Sequence, residues 1–277
     1  MQVLKQIFNF YINSSIHVAL AVVSLTWITL KEYNISGNDG LLCFVFFASI
    51  SGYNFVKYFG IAKFHHIRLA TWLQIIQIFS FISFVLMCYY GLSLNPETLL
   101  YLAVFALITF FYAMPLIPVS LFFTYRANLR SVSGLKVYVI ALVWAGVTVF
   151  LPIINNEYQL SVDIFITATQ RFIFIIILML PFEIRDLRFD SLKLATIPQK
   201  IGVIQTKMLG TLFLFAFFLL EFFKDSVNSA QLLILFLISG ITLLFLLFSS
   251  KEQGRYYSSF WVEGLPILWG LLVFLFN

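Results

Sequence analysis

Nine apolar runs, most of them about 20 residues long, dominate this 277-residue chain. They lie at roughly 13–31, 41–61, 70–91, 97–118, 134–154, 161–182, 204–223, 230–249 and 258–276. A run of that length crosses the hydrocarbon core of a bilayer as a helix. In lipid, each backbone N–H and C=O must find its partner within the chain, so only helices and closed barrels can cross. These runs do not alternate with period two, which excludes a barrel. The composition agrees, with 61% hydrophobic and 10% charged residues, against roughly 25% charged in soluble domains. The expected fold is an all-α polytopic membrane protein of about nine transmembrane helices, with residues 1–277 forming one domain. No internal repeat or low-complexity linker divides it, and no length remains for a soluble domain.

Charge then predicts orientation. In a nine-span arrangement, 14 of the 17 basic residues fall on one side. Lys31 and Lys224 fall on the other, and Arg171 lies within the sixth run. The positive-inside rule places that basic side, and the amino terminus, in the cytoplasm. The net charge of +5 is therefore a topology signal and does not point to nucleic acid. The first run has only Lys5 before it and no convincing cleavage site, so it reads as a spanning helix. Cys43 and Cys88 lie in apolar runs and read as small core residues. Most of the 34 Phe rings read as core or lipid-facing packing.

The polar residues of that side concentrate after the second, fourth and sixth runs. Glu183, Asp186 and Asp190 place three of the twelve acidic residues within eight positions. On a continuous helix they fall within about 60° of one another, with Arg185 and Arg188 pointing elsewhere. Like charges at that spacing repel, and a divalent cation with oxygen ligands would offset the repulsion. Mg²⁺ held by these three carboxylates is one reading. An acidic helix end solvated at the membrane surface is the other. Asn54 and Lys57 close the second run, where a polar group faces the bundle interior, a wet cavity or the interface. Arg126, Arg130 and Lys136 form either a candidate anion site or plain positive-inside charge. The His65-His66 pair, with no nearby Cys or carboxylate, reads as a solvated loop.

These residues also carry a resemblance. Glu183-x-x-Asp186-x-x-x-Asp190, with Arg185 before the middle acid and Thr196-Ile197-Pro198 and Gly202 after it, resembles the second aspartate motif of the UbiA-type intramembrane prenyltransferases. It is most similar to the menaquinone-pathway branch. Tyr112-x-x-Pro115, Leu129-Arg130 and Gly134-x-Lys136 resemble the same family's region between its fourth and fifth helices. The likeness spans most of the chain in layout and about 60 residues in motif. The first aspartate motif departs from the family: after Asn54, the three acids are replaced by Phe55, Tyr58 and Ala62.

The resemblance implies a UbiA-like helical bundle with a cytoplasm-facing cavity, in a membrane such as the bacterial inner membrane. It implies transfer of a prenyl group from an isoprenoid diphosphate to an aromatic or other lipid acceptor, with Mg²⁺ as a possible cofactor. Asp186, Asp190 and Lys57 are then the candidate catalytic residues, and Glu183, Asp186 and Asp190 the candidate metal ligands. Asn54, Tyr58, Arg126, Arg130, Lys136 and Arg185 are the candidate substrate-binding residues. With half of the acidic clamp missing, Lys57 offers a point charge for the phosphates instead. Two alternatives stand beside this reading. One is a UbiA-fold protein without catalysis that binds an isoprenoid or quinone lipid or supports a membrane complex. The other is an unrelated transporter, against which stand the few intramembrane charges and the lack of paired broken helices. The partners expected are the isoprenoid ligand and membrane lipids.

Overall fold

A computed structural model describes residues 2–36, 39–58, 71–113, 134–189 and 195–276, with the backbone alone at 112 and 113. Eleven α-helices follow in chain order: α1 (Gln2–Asn13), α2 (Ile16–Glu32), α3 (Asp39–Tyr58), α4 (Thr71–Gly91), α5 (Pro96–Ala113), α6 (Leu135–Ala145), α7 (Leu151–Asn155), α8 (Val162–Asp186), α9 (Ile197–Leu219), α10 (Ser229–Phe248) and α11 (Leu265–Phe276). A π-helical turn at Gly146–Phe150 joins α6 to α7, and another at Tyr257–Val262 leads into α11. Among the described residues there is no strand. Seven helical segments are long and apolar enough to cross a membrane by themselves, and α1 with α2 forms an eighth candidate bent by 53°. The run expected at 97–118 is represented by α5, of which Pro96–Phe111 is the apolar part; its remainder lies outside the described residues. The all-α polytopic bundle expected from hydropathy is the architecture found.

α1 was not expected from the sequence. It is amphipathic, with no apolar run of its own. Phe8 packs edge-on against Tyr256 and Phe260, at 5.1 and 5.0 Å, and Phe10 against Phe79 at 5.6 Å. Val3, Leu4 and Ile7 remain exposed on its other side. The chain breaks at Ser14-Ser15, where Ser15 adopts a left-handed conformation with φ of 65°.

α8 is the axis of the bundle. Its apolar window is 67% buried, against 17% for α4, so α4 presents most of its surface outward. Lipid is as apolar as Leu and gives no hydrophobic reason for one helix to be inside. The reason lies in its polar content, since Thr167, Gln170, Arg171 and Glu183 all need partners from the protein. Between these groups, Phe174 packs against Phe217 of α9 and Trp269 of α11, at 5.3 and 5.2 Å.

The amino-terminal half of α8 meets a buried charge network that sequence patterning did not predict. Arg171 is 1% exposed, and its guanidinium lies over Trp269 at 4.6 Å. Lys224 contacts Glu32 at 2.6 Å and Glu221 at 2.8 Å, so one ammonium separates two carboxylates. Gln170 donates to Glu221 at 3.0 Å. Thr167 gives its single hydroxyl proton to Glu32 at 3.0 Å, so Tyr33 must be the donor in the 3.0 Å contact between Tyr33 and Thr167. Burial, reinforced by the Glu32 charge, pushes the Tyr33 phenol above its ordinary pKa, which keeps that proton in place.

Removing one partner of a buried ion pair strands the other charge and costs about 3–5 kcal/mol. Lys224→Met should therefore lower the thermal unfolding midpoint of the detergent-solubilised protein sharply. Adding Glu32→Gln should recover part of the loss. A midpoint unchanged in Lys224→Met would show that the triad contributes no net stability.

Candidate functional site

The ends of α3 and α8, the starts of α2, α6 and α9, and the turn before α11 meet at one end of the bundle. The last turn of α3 supplies three polar residues there, and all three grip the break between α1 and α2. Asn54 is 3% exposed. It donates to the Ser14 carbonyl at 3.0 Å and to Ser80 Oγ at 2.8 Å, and it accepts from Ser15 Oγ at 2.8 Å. Lys57 Nζ donates to the same Ser15 Oγ at 2.9 Å. Tyr58 donates its hydroxyl to the Asn13 carbonyl at 2.8 Å. These contacts account for the left-handed Ser15, because that turn aims its carbonyls and hydroxyl at α3. Asn54, predicted to touch substrate, has both amide protons and its carbonyl oxygen engaged by protein. Lys57 differs from it, since its side chain is accessible and has only a neutral hydroxyl as acceptor.

α8 ends at Asp186, one turn beyond the expected apolar run. The expectation of a single helix face carrying Glu183, Asp186 and Asp190 needs correction. The N–H groups of Arg188 and Phe189 bond three residues back, to Arg185 and Asp186, which tightens the last turn and stops the helix before residue 190. Arg185 was expected to point away from the acids. It folds back instead, with Nε and Nη2 each 2.8 Å from Asp186 Oδ1 and the guanidinium 5.3 Å from the Phe182 ring. Glu183 is buried, and its carboxylate accepts the N–H of Ile197 at 3.2 Å.

That bond fixes α8 to the start of α9. Thr196-Ile197-Pro198-Gln199 is a capping box: Thr196 caps the helix, and its own N–H is bonded by Gln199 Oε1 at 3.0 Å. Pro198 fits in the first turn, where no N–H partner is needed. Gly202 breaks the helix one turn later, at φ 83°, a conformation that a side chain would strain.

Lys136 stands in the first turn of α6. Lys200 Nζ lies 4.0 Å from the place where a side chain on Gly134 would begin, so a second cation comes close to that helix start. Arg126, Arg130 and Asp190 lie outside the described residues.

One site residue escaped the sequence reading. Glu263 follows the π-helical turn before α11. That turn packs against α8, and its Phe260 carbonyl accepts from His17 of α2. A lone acid in an apolar run, far in sequence from the acidic cluster, carries no motif. The local turn fixes its direction: the Glu263 N–H bonds Ser258 five residues back at 3.0 Å, a widened turn of the kind often found at functional sites. His17 Nε2 donates to the Phe260 carbonyl at 2.8 Å, and in the neutral ring Nδ1 then accepts from Tyr11 at 2.8 Å. A side chain at Gly264 would meet that carbonyl at 2.7 Å and the His17 ring at 3.3 Å, so this close approach requires glycine.

Among the described residues, no three His, Cys, Asp or Glu side chains lie together as metal ligands would. Glu183 bonds the start of α9 and Asp186 bonds Arg185, and the third candidate ligand, Asp190, lies outside the described residues.

No family model matches the sequence, and no curated protein does. A solved structure does match in fold. It was reported in a study of digeranylgeranylglyceryl phosphate synthase in membranes, and it aligns with a TM-score of 0.55 at 15% identity. The alignment covers 100% of this chain and 97% of that one. At that identity the likeness is one of fold alone, and it agrees with the UbiA-type resemblance carried by the motifs around Asp186. The α3 positions that correspond to the first aspartate motif of that resemblance here bind the α1–α2 break.

The Asn54 contacts give a prediction. Asn54→Leu keeps the volume but removes three hydrogen bonds and leaves the Ser14 carbonyl without its partner. Each unsatisfied buried group costs about 1–3 kcal/mol. The thermal midpoint should fall measurably, and proteolysis at the α1–α2 break should accelerate. A variant as stable and as protease-resistant as the parent would remove Asn54 from its role in holding that break.

Proposed function

We propose that this protein is an integral membrane prenyltransferase. It binds an isoprenoid diphosphate at the end of the bundle where α3, α8 and the turn before α11 converge, and transfers the prenyl group to an aromatic or other lipid acceptor. The observations that carry this reading are the fold likeness to a solved membrane synthase and the presence of two cations, the exposed Lys57 closing α3 and Arg185 closing α8, at one end of the bundle. The basic residues concentrated at this end favour a cytoplasmic orientation of the site.

The chemistry requires heterolysis of the bond between the allylic carbon and the diphosphate oxygen. The electron pair leaves with the diphosphate, and the allylic cation is captured by the acceptor, which loses a proton. Charge growing on the departing oxygen is the quantity to be stabilised. Lys57 acts on it as a mobile point charge and Arg185 as a planar donor, the latter shared with Asp186. Arg126, Arg130 and Lys136 are further candidates for the phosphates, and Asp190 for the acidic wall. Mg²⁺ is the cofactor implied by the family resemblance. Beside it, the fixed cations carry part of the diphosphate charge in this proposal. Asn54 and Tyr58 act on the site through the turn that they hold, which sets where Lys57 stands.

Lys57→Met keeps the side-chain length and removes the charge. Losing a charge-assisted contact costs roughly 1.5–3 kcal/mol, so affinity for geranyl diphosphate should fall about ten- to a hundred-fold. Stability should change little, because Met packs readily. Equilibrium binding to the purified protein, together with product formation from a panel of labelled prenyl diphosphates and acceptors, tests both parts. An unchanged affinity would reduce Lys57 to a structural tie to Ser15, and no product with any pair would remove the transferase.

A further inference from the structure

We propose that α1 is a lipid-bound interfacial helix. Its apolar face, where it runs past the edge of the bundle, is seated in the bilayer, and that seat holds the Ser14-Ser15 break in place.

The residues of α1 sort cleanly by direction. On a helix, Gln2, Lys5, Gln6, Asn9 and Asn13 fall within an arc of about 100°, and the apolar and aromatic residues occupy the opposite side. In the second half of the helix that apolar side lies on protein. Phe8 packs on Tyr256 and Phe260 before α11, Phe10 on Phe79 of α4, and the Tyr11 hydroxyl meets His17. In the first half the same side is uncovered, with Val3, Leu4 and Ile7 66%, 72% and 61% exposed, and no residue of α1 is buried. The face that rests on the bundle near Phe8 therefore continues, near Val3, over whatever surrounds the bundle. For a bundle of membrane-spanning helices that surround is lipid. A helix as short as twelve residues is marginal in water, and an apolar layer beneath its first half supplies the support that protein does not.

Two further observations identify lipid as the cover. α1 ends at Asn13 and the spanning helix α2 begins at Ile16, after a bend of 53°, so α1 is tied to the membrane surface and turned off the line of the span. Trp72 and Trp261 are exposed near the starts of α4 and of the span Tyr257–Phe276, the two spans that the aromatic residues of α1 touch. Tryptophan is enriched where a span meets the headgroups. A polar side bearing Lys and an apolar side of Leu, Ile and Phe is the pattern of helices that lie in that layer.

The seat acts on the break. The Asn13 and Ser14 carbonyls and Ser15 Oγ accept from Tyr58, Asn54 and Lys57, all of α3. These bonds hold the break from one side only. Lipid under the first half of α1 keeps the helix from swinging and so holds it from the other.

Site-directed spin labelling of the full chain in phosphatidylcholine–phosphatidylglycerol nanodiscs tests the seat, in a Cys43→Ala, Cys88→Ala background whose thermal midpoint matches the parent. Labels at Leu4→Cys and Ile7→Cys should be relaxed more by dissolved oxygen than by a water-soluble nickel chelate, and labels at Gln2→Cys and Gln6→Cys the reverse. Equal access of the chelate to all four, or shielding of positions 4 and 7 from both reagents, would place water or protein over the face and overturn the proposal. Hydrogen exchange tests the hold on the break. Ile7→Asn should speed exchange at residues 13–17 about ten-fold, the order expected for taking one large apolar side chain out of an apolar layer. Leu4→Asn serves if that variant folds poorly. Unchanged exchange there in a folded variant would sever the seat from the break.

Discussion

α8 must carry polar groups through a lipid-filled layer, and the rest of the bundle is arranged to receive them. Lipid offers neither donor nor acceptor, so Gln170, Arg171 and Glu183 can exist there only if other helices bring partners. α2 brings Glu32 and a backbone carbonyl, the turn after α9 brings Glu221 and Lys224, α11 brings the face of Trp269, and the start of α9 brings the Ile197 N–H. Each contact fixes the position of one helix relative to α8. Peripheral helices such as α4 have no such obligation, and their Phe and Ile side chains can face lipid at no loss.

The same logic separates the two ends of α8. At its beginning the charges neutralise one another in contact, with Lys224 between Glu32 and Glu221. At its end the charges stand apart. Glu183 is taken by α9 and Asp186 by Arg185, while the exposed Lys57 of α3 rests on Ser15.

Much of the architecture was legible because hydropathy over 20 residues is a strong signal and lipid leaves few alternatives. Helix positions for α3, α4 and α8 to α11 follow from it to within a few residues. What was illegible has physical causes. α1 has a mixed sequence whose apolar face makes sense only against Tyr256 and Phe260, far along the chain. The pairing of Lys224 with Glu32 spans 192 positions, and no local pattern encodes it. The stop at Asp186 depends on three-residue hydrogen bonds in the last turn, which helical periodicity does not foresee. Glu263 looked like an isolated acid because its direction is set by a π-helical turn and by His17, not by its neighbours in sequence. Asn54 was correctly singled out as a polar group facing inward, but the ring of serines that satisfies it comes from α1–α2 and α4.

The end of α3 has Phe55 and Tyr58 where the resembling motif has acids, and the Lys57 beside them changes how an anion site can be made ready. A carboxylate wall attracts no anion by itself and must first gather cations, each of which has to be partly dehydrated. An ammonium already standing on Ser15 needs no such step. To receive a phosphate it exchanges a neutral hydroxyl acceptor for an anionic one, and the contact between opposite charges is the stronger of the two. Ser15 is held by Asn54 from the same helix turn that carries Lys57, so the amine starts from a fixed point and little side-chain freedom remains to be lost. The turn between α1 and α2 is in this sense part of the site: its strained serine sets the place from which the charge acts.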